Sequence, residues 1–192
     1  MAADGNVCVR VDHVHDEALT VTVAKTIWLT GLPGAGKTTL ARSLEQALFI
    51  RGRSCTVLDG DELRRGLCSD LGYSPADRSE NIRRTAEVAR LLNGAGAFAI
   101  VALISPLAAD RAQARHIVGT QQMIEVHVAA PLETCEARDP KGLYARARRG
   151  EVPDFTGISA PYEVPLNPEL SLDTSALSPV TCLGRLMTLL SV

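Results

Sequence analysis

Gly31-Leu32-Pro33-Gly34-Ala35-Gly36-Lys37-Thr38-Thr39 is the stretch from which the rest of this chain is read. It fits G-x-x-x-x-G-K-[ST], a loop whose glycines let successive backbone N–H groups turn inward around a phosphate chain. Thr26-Ile27-Trp28-Leu29-Thr30 before it predicts a short buried strand. Residues 40–49 after it predict a helix, with Leu40, Leu44, Ala47 and Leu48 on one face. Strand, glycine loop and helix in that order are the context the motif needs. The helix N-terminus adds partial positive charge and unpaired donors. Gly31 to Thr39 are therefore expected to hold nucleotide phosphates. Lys37 is expected to reach the β- and γ-phosphates and the Thr38 hydroxyl to ligate Mg²⁺.

The alternation continues downstream. Cys55-Thr56-Val57-Leu58, ending in Asp59, predicts a second strand. Residues 61–71 predict a short helix and residues 75–93 a longer one, whose Ile82, Ala86, Ala89 and Leu92 share a face. Gly94 and Gly96 end it. Residues 98–104 are continuously apolar, as expected of a central strand covered on both faces. Pro106 is expected to open the next helix. Residues 123–128 predict a fourth strand, Pro131 a further helix start, residues 170–173 a last strand and 179–190 a last helix. Residues 139–169 break the pattern with prolines, glycines and the basic Lys141, Arg146, Arg148 and Arg149. An irregular segment of that length is usually functional, and here it predicts a basic lid. The expected fold is α/β, a three-layer α/β/α of P-loop NTPase type with a mostly parallel sheet of about five strands. Residues 25–192 form this domain, with the lid at about 139–169, and residues 1–24 form an arm that carries no readable pattern.

The bulk numbers agree with one soluble domain. The chain has 192 residues, 46% hydrophobic, with a formal net charge of −2. That charge gives no reason to expect nucleic acid or an anionic membrane as partner. No apolar run approaches the roughly 20 residues of a membrane span, and residues 1–16 hold no apolar signal core. The five cysteines are scattered without C-x-x-C spacing, which reads as reduced thiols in a cytoplasmic protein and gives no zinc site. His13 and His15 are read as a solvated or strand-edge pair, the alternative being a metal pair.

Ligands of such sheets bind beyond the carboxyl ends of the strands. Three strands end in polar groups that would share one cleft: the glycine loop, Asp59-Gly60-Asp61, and Ser105-Pro106. Asp59 and Asp61 suit two tasks, holding Mg²⁺ or accepting a proton from an attacking hydroxyl. The plainer alternative for Asp61 is an N-cap on the helix that follows. Arg64 and Arg78 flank Leu71-Gly72-Tyr73, and a ring beside guanidinium groups suits an anionic molecule with an aromatic base. Arg83, Arg84 and Arg90 read as a solvated helix face.

These residues also resemble a known family. Residues 58–67 (LDGDELRRGL), 70–74 (DLGYS), 77–84 (DRSENIRR), 138–144 (RDPKGLY), 154–158 (DFTGI) and 161–163 (PYE) are similar to adenylylsulfate kinase. Ile104-Ser105-Pro106, Ala109-Asp110-Arg111, residues 125–128 and Asn167-Pro168-Glu169-Leu170 extend the likeness over about residues 25–175. The resemblance implies transfer of the γ-phosphate of ATP to the 3′-hydroxyl of adenosine 5′-phosphosulfate (APS), giving PAPS and ADP, with Mg²⁺ present. It implies that Lys37, Asp59, Asp61 and Ser105 stand at the reacting groups, with Thr38 and Asp59 near the metal. Arg138 would lie by the ATP base. Asp61, Arg64, Arg78, Asn81, Ile104, Ser105 and Lys141 would meet APS, and Tyr73 and Phe155 would clasp its adenine. Ser105 is also the family's phosphoserine position. In-line attack by the 3′-hydroxyl needs no enzyme nucleophile, and a hydrogen bond to substrate or an N-cap ahead of Pro106 explains the residue as well. The resemblance further implies a homodimer and association with an ATP sulfurylase. Three positions depart from the family pattern: Tyr73 for phenylalanine, Arg65 for histidine and Leu107 for tyrosine. Other kinases of the same scaffold, acting on gluconate or nucleoside monophosphates, are the nearest rivals. A nucleotide switch is disfavoured because no N-K-x-D motif is found.

Overall fold

The computed structural model describes residues 23–191. The arm expected over residues 1–24, up to Thr22, and the His13/His15 pair lie outside the described residues. Five strands, β1 (Thr26–Thr30), β2 (Cys55–Asp59), β3 (Phe98–Ala102), β4 (Met123–Ala129) and β5 (Leu170–Asp173), form one sheet in the order β2-β3-β1-β4-β5. Every pairing in it is parallel. Among the described residues seven helices connect and cover them: α1 (Lys37–Ile50), α2 (Gly60–Leu63), α3 (Pro75–Gly94), α4 (Ala108–Val118), α5 (Leu132–Arg138), α6 (Leu143–Arg148) and α7 (Pro179–Leu190).

All residues of β1 and β3 are buried, because helices cover both faces of the sheet at its centre. The two-residue period of a strand sends neighbours to opposite faces. Ile27 and Leu29 join Leu44, Leu48, Val126 and Leu186 in one core; Trp28 joins Ile82, Ala86 and Val101 in the other. The chain visits β2 and β3 on one side of β1, then crosses to β4 on the other. A crevice therefore opens beyond the carboxyl end of β1, where the order reverses.

Three boundaries differ from the sequence expectation. The helix expected over residues 61–71 is only α2, ending at Leu63. Beyond it Arg65 N–H bonds Glu62 O and Gly66 N–H bonds Leu63 O, tight turns that Gly66 favours over a continuing helix. The apolar strand ends at Ala102 rather than residue 104. Pro106 does not open α4, which begins at Ala108 after an extended Leu107. Ser105 turns into left-handed backbone, φ 45°, and this breaks the helical path there. Within the irregular 139–169 segment lies α6, which the sequence pattern did not signal.

Candidate active site

The glycine loop leaves β1 and delivers the chain into α1. Gly34 and Gly36 adopt φ 77° and 98°, values that L side chains rarely take. A Cβ on Gly34 would sit 3.0 Å from the Cys135 carbonyl oxygen, so the loop is packed against α5 as well as bent. Gly36 caps α1 without a side-chain bond, which leaves the first backbone N–H groups of the helix free to face an anion. Two residues that the sequence did not single out brace the loop. Tyr144 Oη donates to Pro33 O at 2.9 Å, and Thr174 Oγ1 donates to Ala35 O at 2.8 Å. Arg138 adds bonds to Gly34 O and to Thr174 O.

Lys37 is buried, with Nζ donating at 2.8 Å to both Gly31 O and Leu32 O. Desolvation by burial lowers its pKa to about 8. Thr38 Oγ1 donates to Asp59 Oδ2 at 2.8 Å, and Asp59 Oδ1 accepts from Asp61 N at 2.9 Å. The aspartate that caps the helix after β2 is thus Asp59, not Asp61. Asp59 is buried with both oxygens engaged, whereas the Asp61 side chain is 58% exposed and among the described residues pairs with Lys141 alone. The oxygen-only donor set of Thr38 and Asp59, at the mouth of a phosphate loop, fits a hard cation such as Mg²⁺ shared with a triphosphate. Among the described residues no cluster of three His, Cys, Asp or Glu could hold a metal by itself.

One cavity of about 740 Å³ runs from this loop to the far side of the sheet edge. Its near wall includes Lys37, Thr38, Thr39, Asp59, Arg138 and Lys141; its far wall includes Arg64, Arg78, Asn81, Ile104 and Ser105. Asn81 is buried on α3 and lines this cavity, and among the described residues its buried Nδ2 has no partner, a cost that a ligand oxygen reaching it would relieve. Arg64 donates to Gly72 O at 2.7 Å and stacks 4.3 Å from the Tyr73 ring centroid. Arg78 donates to Tyr73 O, Thr156 Oγ1 and Asp154 O, which ties α3 to the lid. Burial and the nearby Arg64 charge lower the Arg78 pKa.

Two expected groups stand apart from the cavity wall. Tyr73 is 64% exposed, and Phe155 is buried in the core, edge-on to Tyr144 at 5.0 Å. Neither ring lines the cleft. Ser105 does, but not as a helix cap: α4 is preceded by Leu107 with no side-chain cap. Its Oγ accepts a bond from Trp28 Nε1 at 3.0 Å. Arg111, quoted in sequence only as part of a motif, donates to the Ser105 carbonyl at 2.7 Å.

The sequence model of the family described as Adenylylsulphate kinase matches residues 23–173. This chain belongs to the adenylylsulfate kinase family. It is 58% identical over 149 residues to the adenylyl-sulfate kinase of Shewanella amazonensis, covering 78% of this chain and 75% of that one. It is 49% identical over 180 residues to the adenylyl-sulfate kinase of Pseudomonas aeruginosa, covering 94% and 92%. Among solved structures, the Mycobacterium tuberculosis APS kinase CysC in complex with AMPPNP and APS superposes with a TM-score of 0.85 at 47% identity. That match covers 88% of this chain and 98% of the other. In this family member, the loop, the aspartates and the arginine cluster therefore share a scaffold with an enzyme that binds two nucleotides in one complex. No helix among the described residues is long and apolar enough to cross a membrane.

Proposed function

We propose that this chain transfers the γ-phosphate of ATP to the 3′-hydroxyl of APS, giving PAPS and ADP. The observation that carries the reading is the single cleft in which a complete phosphate loop faces Arg64, Arg78, Asn81 and Ser105. Phosphoryl transfer needs positioning and charge neutralisation more than covalent help from the protein.

ATP phosphates take the loop amides, and Lys37 exchanges its two carbonyl partners for β- and γ-oxygens. Arg138, bonded to the loop at Gly34 O and to Thr174, is assigned to the base side of ATP on the family resemblance, which its place in the cavity wall supports. Thr38 and Asp59 would hold Mg²⁺, which neutralises phosphate charge and aligns the γ-phosphoryl group. Asp61 is the free carboxylate once Lys141 leaves it, and it takes the proton of the 3′-hydroxyl as the O3′–P bond forms and the P–O bond to ADP breaks. Arg64, Arg78 and Asn81 bind the anionic end of APS, with Ile104 and Ser105 forming the wall beneath. Ser105 acts as a hydrogen-bond donor, because its Oγ already accepts from Trp28 and among the described residues no base bonds it to make a nucleophile. Residues 139–169 serve as a lid whose Lys141 follows the phosphates and whose Phe155, with Tyr73, stacks on the APS adenine. This ring pair requires Phe155 to leave its packing against Tyr144.

We place the domain at residues 25–192, with the described cysteines Cys55, Cys68, Cys135 and Cys182 all free, as suits the cytoplasm. Self-association as a homodimer and a partnership with an ATP sulfurylase are the further expectations of the family resemblance. The test is direct: purified protein with Mg-ATP and APS forms PAPS and ADP in equal amounts. ADP release that ignores APS, or transfer to gluconate or a nucleoside monophosphate instead, overturns the assignment.

A further inference from the structure

We propose that Arg111 is a positioning residue for Ser105, and that Trp28 and Arg111 together aim the Ser105 hydroxyl proton into the cleft. The proposal rests on the site assignment above and adds to it two residues that stand behind the cavity wall.

Ser105 is 2% exposed and holds φ 45°, a conformation that costs a non-glycine residue free energy unless its surroundings impose it. Arg111 imposes it. The guanidinium is 4% exposed, and Nη1 donates to Ser105 O at 2.7 Å. Nη2 donates to Glu163 O at 2.7 Å, and Nε lies 2.8 Å from Glu125 Oε1. Glu163 closes the arrangement: its N–H bonds Pro106 O at 2.8 Å, and its Oε2 accepts from Ala108 N at 2.6 Å. One rigid cation thus fixes both the turn at Ser105 and the end of the lid segment. A planar fork reaches two carbonyls in this way, and an ammonium does not.

The side chain is set from the other face. Trp28 is fully buried in the centre of the sheet, and its Nε1–H donates to Ser105 Oγ. A serine hydroxyl has one proton and two lone pairs. With one lone pair taken by the indole, the proton remains, and among the described residues no acceptor receives it. Ser105 lines the cleft beside Asn81, whose Nδ2 is likewise unpartnered. The two together form a donor pair for the oxygens of the second nucleotide.

The test combines kinetics with the resonance of the only tryptophan in the chain, Trp28. Arg111→Lys keeps the charge opposite Glu125 and loses the fork; Arg111→Gln with Glu125→Gln removes both charges together. Both variants are expected to raise the APS KM about tenfold while leaving the ATP KM within about twofold. In ¹⁵N-labelled protein both should move the Trp28 indole N–H resonance toward its position in Ser105→Ala. An unchanged APS KM, both KM values rising together, or an unmoved indole resonance overturns the proposal. If the double variant does not fold, the Lys variant decides alone. Ser105→Ala separates the layers: a raised APS KM there with silent Arg111 variants sinks only the role of Arg111. A Ser105→Ala enzyme with unchanged APS KM sinks the role of Ser105 and with it this proposal, whereas a wild-type enzyme that does not use APS sinks the site assignment.

Discussion

Lys141 of the lid segment is ion-paired with Asp61 of α2. Both side chains are 58% exposed, so the pair contributes at most about 1 kcal/mol. An ion pair of that strength is readily exchanged for phosphate oxygens, which frees the carboxylate when the lid lysine turns to ATP. Asp61→Asn should therefore lower kcat by roughly a hundredfold or more with a small change in ATP KM. Initial rates at saturating APS check this; a variant retaining most of kcat would assign the proton to another acceptor. Lys141→Met should raise the ATP KM while leaving the pH profile of kcat in place.

The buried Lys37 gives a pH dependence with opposite signs for binding and for folding. Burial lowers its pKa from 10.5 to about 8. The charged form is the one that grips phosphate, so ATP affinity of the free enzyme falls as pH rises through about 8. For folding, the unfolded chain keeps the proton between about 8 and 10.5 while the native lysine has lost it. Stability carried by this group is therefore lowest below about pH 8 and recovers as pH climbs through that window, by roughly 3 kcal/mol in full. Melting curves of wild type and Lys37→Met at pH 7 and pH 10 check the sign: the wild type should gain relative to the variant at the higher pH.

Phe155 has two tasks that two substitutions separate. Its ring packs edge-on to Tyr144 in the core, so Phe155→Ala should cost about 3–5 kcal/mol of stability. Phe155→Leu retains much of that volume and loses the stacking surface. We expect the leucine variant to stay folded, to bind ATP normally and to lose APS affinity about tenfold. Equal losses for both ligands in competition binding would reject the stacking role.

Gly34→Ala tests the phosphate loop without touching a charge. Its φ of 77° and the Cys135 carbonyl 3.0 Å from the new Cβ leave the alanine no relaxed position. The left-handed backbone alone costs about 1–2 kcal/mol, and the loop must shift its amides to accommodate the methyl group. ATP binding by calorimetry should weaken at least tenfold while APS binding to the free enzyme changes little. Normal ATP binding would mean that the loop bends freely.

How much of this was legible in the chain depends on how local the cause is. Residues 31–39 predicted the nucleotide loop because a phosphate cradle is built from consecutive backbone amides and a fixed spacing of glycines. The mostly parallel sheet of about five strands followed from strands alternating with helices, and the mark was plainest for β1 and β3, where burial on both faces reaches every residue. Asp59 and Asp61 could be nominated because they follow a strand end that such a sheet turns toward one crevice, and Arg64 and Arg78 because they flank a ring; Asn81, inside α3, was nominated only by the family resemblance.

Tertiary structure alone decided the rest. Asp59 caps α2 through one oxygen and is held through the other by Thr38 of another helix, while Asp61 pairs with Lys141 of the distant lid segment. The left-handed turn at Ser105 is held by Arg111, Trp28 and Glu163, from three different segments, and no local pattern announces such a turn at a serine. Phe155, whose stacking role comes from the family resemblance, packs edge-on to Tyr144 in the core, a contact between distant segments that favourable burial of an apolar ring explains and that no local pattern announces. Sequence thus determined the elements and the groups available for chemistry, which short-range spacing encodes. Their partners were set by long-range contacts, whose cost and gain exist only once the sheet has brought distant segments together.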